Sequence, residues 1–218
     1  VAPPDATFAL WIGGDDLNDA LAALAVDQTG ATSQAILEAA VEAVATNIQS
    51  LWLSGARTFL VLNIPNLALT PAVRAAGPAA EAGASYLTMA YNSGLNGALD
   101  GLEALPGIRF VRLDADALLT DIVADPAAAG LTNVEDACLT FGVVRNPFCR
   151  TPNDYLFWDG IHPTKAGHRL VAEAAARAAQ GGTHDTGAVP LETPHVARPL
   201  AGSSAMPVPE RSGQAAPV

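Results

Sequence analysis

The chain has 218 residues, 50% hydrophobic and 15% charged, which is enough apolar material to bury one sizeable core. A formal net charge of −11 opposes binding to a phosphate backbone, and no basic cluster interleaved with aromatics offsets it, so nucleic acid is not an expected partner. No apolar run reaches the roughly 18 residues that a transmembrane segment requires, because Glu38 and Glu42 interrupt the most apolar helical stretch.

The sequence opens at Val1 without a charged-then-apolar leader, a start that reads as a processed or excised one. The first element is the apolar run Thr7–Ile12, predicted as a buried parallel strand stopped by Gly13-Gly14. From Gln34 to Leu53, Leu37, Val41, Val44, Ile48 and Leu51 recur at alternating spacings of four and three, which predicts a helix with one apolar stripe. Thr58–Ile64 is a second apolar strand closed by Pro65, and Glu81–Leu102 reads as a long helix with Leu87, Tyr91, Leu95, Leu99 and Leu102 inward. Gly94 and Gly97 weaken the middle of that helix. Ile108–Leu113 is the third strand, Asp116–Val123 a short helix, and the chain then runs irregularly to Asp159 before a last helix over Thr164–Ala179. From about Gly181 the composition turns to Gly, Pro, Thr, Ser and Ala without periodicity, so the expected organisation is one domain over 1–181 and a disordered tail over 182–218.

Near-continuous apolar strands alternating with helices predict a mostly parallel sheet covered on both faces, an α/β/α sandwich of three layers. Ligands bind such sheets beyond the carboxyl ends of the strands. Gly13–Asp16 follows the first strand directly, and Asp159 and His162 stand in the loop before the last helix.

Cys138 and Cys149 flank an irregular loop, and a disulfide between them would contribute about 3 kcal/mol by loop closure and imply an oxidising compartment. The alternative is a pair of reduced thiols. Neither these spacings nor any neighbouring histidine pair forms a zinc signature, and no metal or cofactor is expected.

The stretch "FWDGIHPTKAGH" presents Asp159 and His162 from one loop. A carboxylate on one imidazole nitrogen fixes the tautomer and supports the imidazolium formed when the other nitrogen takes a proton. His168 lies in the last helix, and His184 and His195 lie in the tail, so His162 is the candidate base. The bland reading is that Asp159 caps a turn and His162 is an ordinary loop residue.

"FWDGIHPTKAGHRLVAEAA" resembles the last conserved block of the SGNH/GDSL hydrolases, whose triad Asp and His stand three apart. "LWIGGDDLND" is similar to their G-x-N-D block, and "LNIPNLALTP" looks like the strand-end segment of their secreted esterase and lipase branch. The resemblance covers most of residues 7–181. It implies a flavodoxin-like sandwich, an ester hydrolase working through a serine acyl-enzyme on a small-molecule or lipid ester, and a secreted or periplasmic location. It assigns His162 as base, Asp159 as its orienter, and Gly13 and Asp15 to the oxyanion and substrate side.

Two departures accompany the match. The family's G-D-S nucleophile precedes the G-x-N-D block, whereas Ser33, Ser50, Ser54, Ser85 and Ser93 follow no strand in that setting and Ser203, Ser204 and Ser212 lie in the tail. The first strand or strands are therefore expected to be missing, about sixty or more residues, leaving this span inactive alone. Asp15 also stands where the family has Asn; a register on Asn18-Asp19 would instead put Asp16 in place of the motif glycine. A non-catalytic binding protein on the same fold and a carbohydrate deacetylase are the alternative functions.

Overall fold

A computed structural model of the protein describes residues 1–3, 5–142 and 145–181. The tail expected over 182–218 lies outside the described residues. In chain order the elements are β1 (Thr7–Leu10), α1 (Gly14–Val26), α2 (Ala31–Leu53), β2 (Thr58–Leu62), α3 (Pro71–Ala76), α4 (Pro78–Leu102), β3 (Arg109–Leu113), α5 (Ala115–Ala124), β4 (Asn133–Ala137), β5 (Tyr155–Phe157) and α6 (Lys165–Ala179).

The TFLVL run of β2 is apolar without alternation, and Phe59, Leu60, Val61 and Leu62 are all buried, so this strand needs cover on both faces. β1 and β3 flank it in parallel, in the order β1-β2-β3. Phe59 and Val61 point into a core shared with α1, α2 and α4, while Leu60 and Leu62 meet Ala115 and Leu119 of α5 and Val171 of α6. Helices on both faces of a parallel sheet make the expected α/β/α sandwich. Phe8, Phe59 and Phe110 stand side by side across the three strands, with ring centroids 5.9 Å apart in both pairs. A register slip would break this aromatic row and send each ring to the opposite face.

The two long helices carry the predicted stripes. Leu37, Val44 and Ile48 of α2 are buried, as are Leu87, Tyr91, Leu95 and Leu99 of α4. Gly94 does not interrupt α4; a Cβ there would make an ordinary contact with Val41 Cγ2 of α2 at 3.4 Å.

Three regions differ from the sequence expectation. The first strand, expected to be buried over Thr7–Ile12, ends at Leu10 and lies at the edge of the described sheet with Thr7 and Ala9 exposed and Phe8 and Leu10 only partly buried. Helix α1 starts immediately after Gly13, with Leu17 and Ala20 buried; its opening Gly-Asp-Asp run offers no side-chain cap to mark it in the sequence. The stretch from residue 124 to Asp159 contains a second sheet, in which β4 and β5 pair in parallel. Val134 is the only buried residue of β4, so neither period nor hydrophobicity announces that strand. The Cys138–Cys149 disulfide forms, with Cα atoms 4.8 Å apart, beside an antiparallel bridge between Leu139 and Phe148.

Past β2 the chain is held by Asn92 of α4, whose Oδ1 accepts from Ile64 N–H at 2.9 Å and whose amide donates to Ile64 C=O at 2.8 Å. Both groups are buried, and truncation leaves a donor and an acceptor without partners. Asn92→Ala is expected to destabilise the fold by about 2–5 kcal/mol, read as a lower urea midpoint. An unchanged midpoint would mean that water replaces the amide at no cost.

Candidate active site

The loop between β5 and α6 is folded by its own residues. Trp158 N–H donates to His162 C=O at 2.7 Å, and Phe157 pairs with Pro163 in an antiparallel bridge, so residues 158–162 form a closed turn. Thr164 then ties the turn to β5: its N–H donates to Leu156 C=O at 2.8 Å and its hydroxyl to Tyr155 C=O at 2.6 Å, while Oγ1 caps α6 by accepting from Gly167 N–H. A Cβ on Gly167 would lie 2.9 Å from both Leu156 O and Pro163 Cβ, so only glycine lets the helix start this close to the strand.

Inside the turn, Asp159 Oδ1 accepts from Ile161 N–H at 2.9 Å and His162 N–H at 2.8 Å, the self-bonding that aspartate favours in turns. The same carboxylate meets His162 Nδ1, at 2.9 Å from Oδ2 and 3.1 Å from Oδ1. With Nδ1 donating to the carboxylate, Nε2 carries the lone pair, and among the described residues no group bonds to it. The Asp159 side chain is 15% exposed and that of His162 is 70% exposed, so the carboxylate is sheltered and the imidazole faces solvent. Burial pushes the Asp159 carboxyl upward, but the backbone N–H groups of His162 and Ile161 and the His162 ring outweigh it and hold the group below its ordinary value.

The loop rests on the segment after β2. Ala72 N–H at the start of α3 donates to Gly160 C=O at 2.9 Å, and a Cβ on Gly160 would come 3.1 Å from Ala72 Cβ. That segment is fixed from β3 and α5. Asn63 Nδ2 donates to Asp114, Asp116 N–H donates to Asn63 Oδ1, and Asp116 accepts from Asn66 N–H at 2.8 Å. Burial raises the Asp116 carboxyl, the Asn66 N–H works against that, and the Asp114 charge adds to the rise. This polar network is not foreseen from the sequence, because its partners stand far apart along the chain.

Gly13 and Asp15 sit at the end of β1. Gly13 is buried with φ 116°, a left-handed backbone that favours glycine, and a Cβ there would run into the Tyr91 ring. Tyr91 OH donates to Ile12 C=O at 3.0 Å, and its own pKa is pushed up to about 12 by burial and then by Asp16. Asp15 is exposed in the first turn of α1, where a negative charge suits the helix dipole. Trp11 stacks edge-on against His168 in α6, ring centroids 6.4 Å apart, so the end of β1 and the helix after the dyad meet. The structure thus brings Asp159 and His162 together; among the described residues no hydrogen bond or ion pair joins Asp15 to either of them.

The depressed Asp159 pKa has a direct consequence. Its ionised form contributes stability fully above the ordinary aspartate pKa, and this is lost as pH falls through the lower folded value. A carboxyl ¹³C titration should give Asp159 a midpoint below that of an unfolded aspartate, and Asp159→Asn should flatten the acid limb of the stability profile. A midpoint at or above the ordinary value would contradict the hydrogen bonding described.

With this geometry in place, comparison with known proteins is informative. The sequence model of the GDSL-like lipase/acylhydrolase family matches residues 2–175. The GDSL esterase/lipase At1g73610 of Arabidopsis thaliana is 33% identical over 126 residues, covering 57% of this chain and 36% of that protein. The GDSL esterase/lipase At1g71691 of the same plant is 27% identical over 180 residues, 77% of this chain and 47% of its own. An uncharacterised Pseudomonas putida protein of the trpE-trpG intergenic region is 30% identical over 184 residues, 80% of this chain and 28% of its own. The chain spans less than half the length of these curated relatives. A match across the sandwich and through the Asp159–His162 turn places the chain in the GDSL-like lipase/acylhydrolase family.

Proposed function

We propose that this chain carries the base half of a serine ester hydrolase. The observation that supports it most is the contact of His162 Nδ1 with a sheltered, ionised Asp159, which leaves Nε2 as the proton acceptor. In this reading Nε2 takes the proton of a serine hydroxyl as the serine attacks a carboxylic ester. The resulting imidazolium returns the proton to the leaving alcohol, and water repeats the sequence on the acyl-enzyme. Asp159 holds the tautomer and stabilises the imidazolium.

The serine belongs to a G-D-S segment outside these residues. Ser33 donates to Ala20 C=O, Ser50 and Ser54 bond to carbonyls of their own helix, and Ser85 bonds to Asn66, so each has a structural partner. The 218 residues alone are then expected not to turn over an ester. The substrate is a small-molecule or lipid ester, and the disulfide supports a secreted or periplasmic setting.

A non-catalytic binding role draws support from one observation, the exposed carboxylate of Asp15 where the oxyanion donor should be an amide. An ionised carboxylate can only accept, and it sets like charge against an oxyanion.

Hydrolysis of p-nitrophenyl esters by the longer protein tests both readings. Asp159→Asn should lower turnover by about 10⁴, His162→Ala should leave little rate above background, and neither should abolish substrate binding. Full activity in His162→Ala would sink the catalytic assignment. In the same assay Asp15→Asn should raise the rate by about 10² to 10³ if Asp15 lines the oxyanion hole, and equal rates at every pH would put it outside.

A further inference from the structure

Beside the dyad stands a feature that the hydrolytic reading does not use. The Cys138–Cys149 disulfide closes a hairpin whose strands are tied by Thr140 N–H to Pro147 C=O and Cys149 N–H to Cys138 C=O, both 2.7 Å. Leu139 N–H donates to Trp158 C=O, and the Phe148 ring stacks on Trp158 at 5.5 Å, so the hairpin is anchored to the residue immediately before Asp159. It nevertheless leaves its aromatic residues in water: Phe141 is 75% exposed and Phe148 54%. Ile161, inside the dyad turn, adds another 39% exposed apolar side chain.

The charge of this region runs against that of the chain. Acidic residues outnumber basic ones two to one overall, 22 to 11, yet between Asp136 and Asp154 the sequence holds Arg145 and Arg150 and no acid. Both arginines are exposed. Of the acids that flank the hairpin in sequence, Asp136 accepts from the Asn133 amide, Glu135 is paired with Arg74 and Asp159 is bonded within its own turn, which leaves Asp154 as the one without a side-chain partner among the described residues. Exposed aromatics flanked by arginines on a stapled hairpin match an anionic lipid–water interface: the rings enter the acyl boundary and the guanidinium groups meet the headgroup charge.

We propose that the Cys138–Cys149 hairpin docks the protein on an anionic lipid surface and thereby brings His162 to esters held there. The delivery of ester rests on the hydrolase reading; the docking does not.

Density-gradient flotation of the 218-residue chain separates the two, because vesicle-bound protein rises and aggregates sink. Wild type should float with phosphatidylcholine vesicles containing phosphatidylglycerol, float less with pure phosphatidylcholine, and lose the difference in about 1 M salt. Phe141→Ser should weaken flotation by about ten-fold, and Arg145→Gln with Arg150→Gln by a similar factor on anionic vesicles only. Phe141 packs against little, so the thermal melt of Phe141→Ser should match wild type, as should hydrolysis of a soluble short ester by the longer Phe141→Ser protein. No flotation of wild type, or equal flotation of Phe141→Ser, overturns the proposal. So does a wild-type dimer that Phe141→Ser dissociates without any lipid binding, since the patch would then face a second copy. Flotation that obeys these variants, together with no ester hydrolysis by the longer protein that carries the G-D-S segment, would uphold docking and overturn the hydrolase reading instead.

Discussion

Burial of β2 on both faces is the constraint from which the rest of the structure follows. A strand without a solvent face must place helices above and below, and it must also end in a way that satisfies its last backbone groups. Asn92 does this from α4 at Ile64, Asn63 N–H donates to Leu113 C=O of β3, and the side chains of Asn63, Asp114 and Asp116 tie the following segment to α5. The same polar clasp orients the chain leaving β2, so that α3 arrives against Gly160. The site is therefore positioned by the strand end rather than by the helices that dominate the fold. Asp116 bears the cost of that role as a raised pKa.

The dyad itself is a local object. Among the described residues, every group that bonds the Asp159 side chain belongs to residues 161 and 162, within the same turn. Short-range geometry of this kind is written in a short sequence, which is why Asp159-x-x-His162 is legible from the order of residues alone. The three strands of the main sheet, α2 and α4 are legible for a related reason: each carries enough consecutive or periodic apolar residues to declare its own period. The disulfide is legible from the spacing of Cys138 and Cys149 within a loop that has little else to hold it.

What escapes the sequence depends on partners remote along the chain. β4 exists because β5 pairs with it; alone, Asn-Val-Glu-Asp-Ala has one residue to bury. α1 begins on glycine and two aspartates, and its buried Leu17 and Ala20 are too few to override that start. The reason for glycine at position 13 is a tyrosine 78 positions later, whose ring occupies the space of a Cβ and whose hydroxyl holds Ile12. No window centred on the G-G-D-D run contains that information. The same holds for Gly160, whose neighbour Ala72 belongs to α3.

The unequal exposure of the two dyad members sets a further condition on chemistry. Asp159 is sheltered enough to act as a fixed charge, but an imidazole 70% exposed has water over its reactive edge. In water, proton transfer at Nε2 gains little from the neighbouring carboxylate, because screening reduces a Coulomb interaction several-fold relative to a partly dry site. The described residues leave the imidazole open, and Ile161, beside it in the turn, is itself exposed. On the proposed reading, the cover over His162 comes from the substrate or from the surface on which the substrate lies. An apolar cover strengthens the Asp159–His162 pair and excludes competing water at once. On the proposed hydrolase reading, exposure of His162 fits a site that is completed on engagement, the carboxylate and turn being set in advance and the low dielectric arriving with the ester.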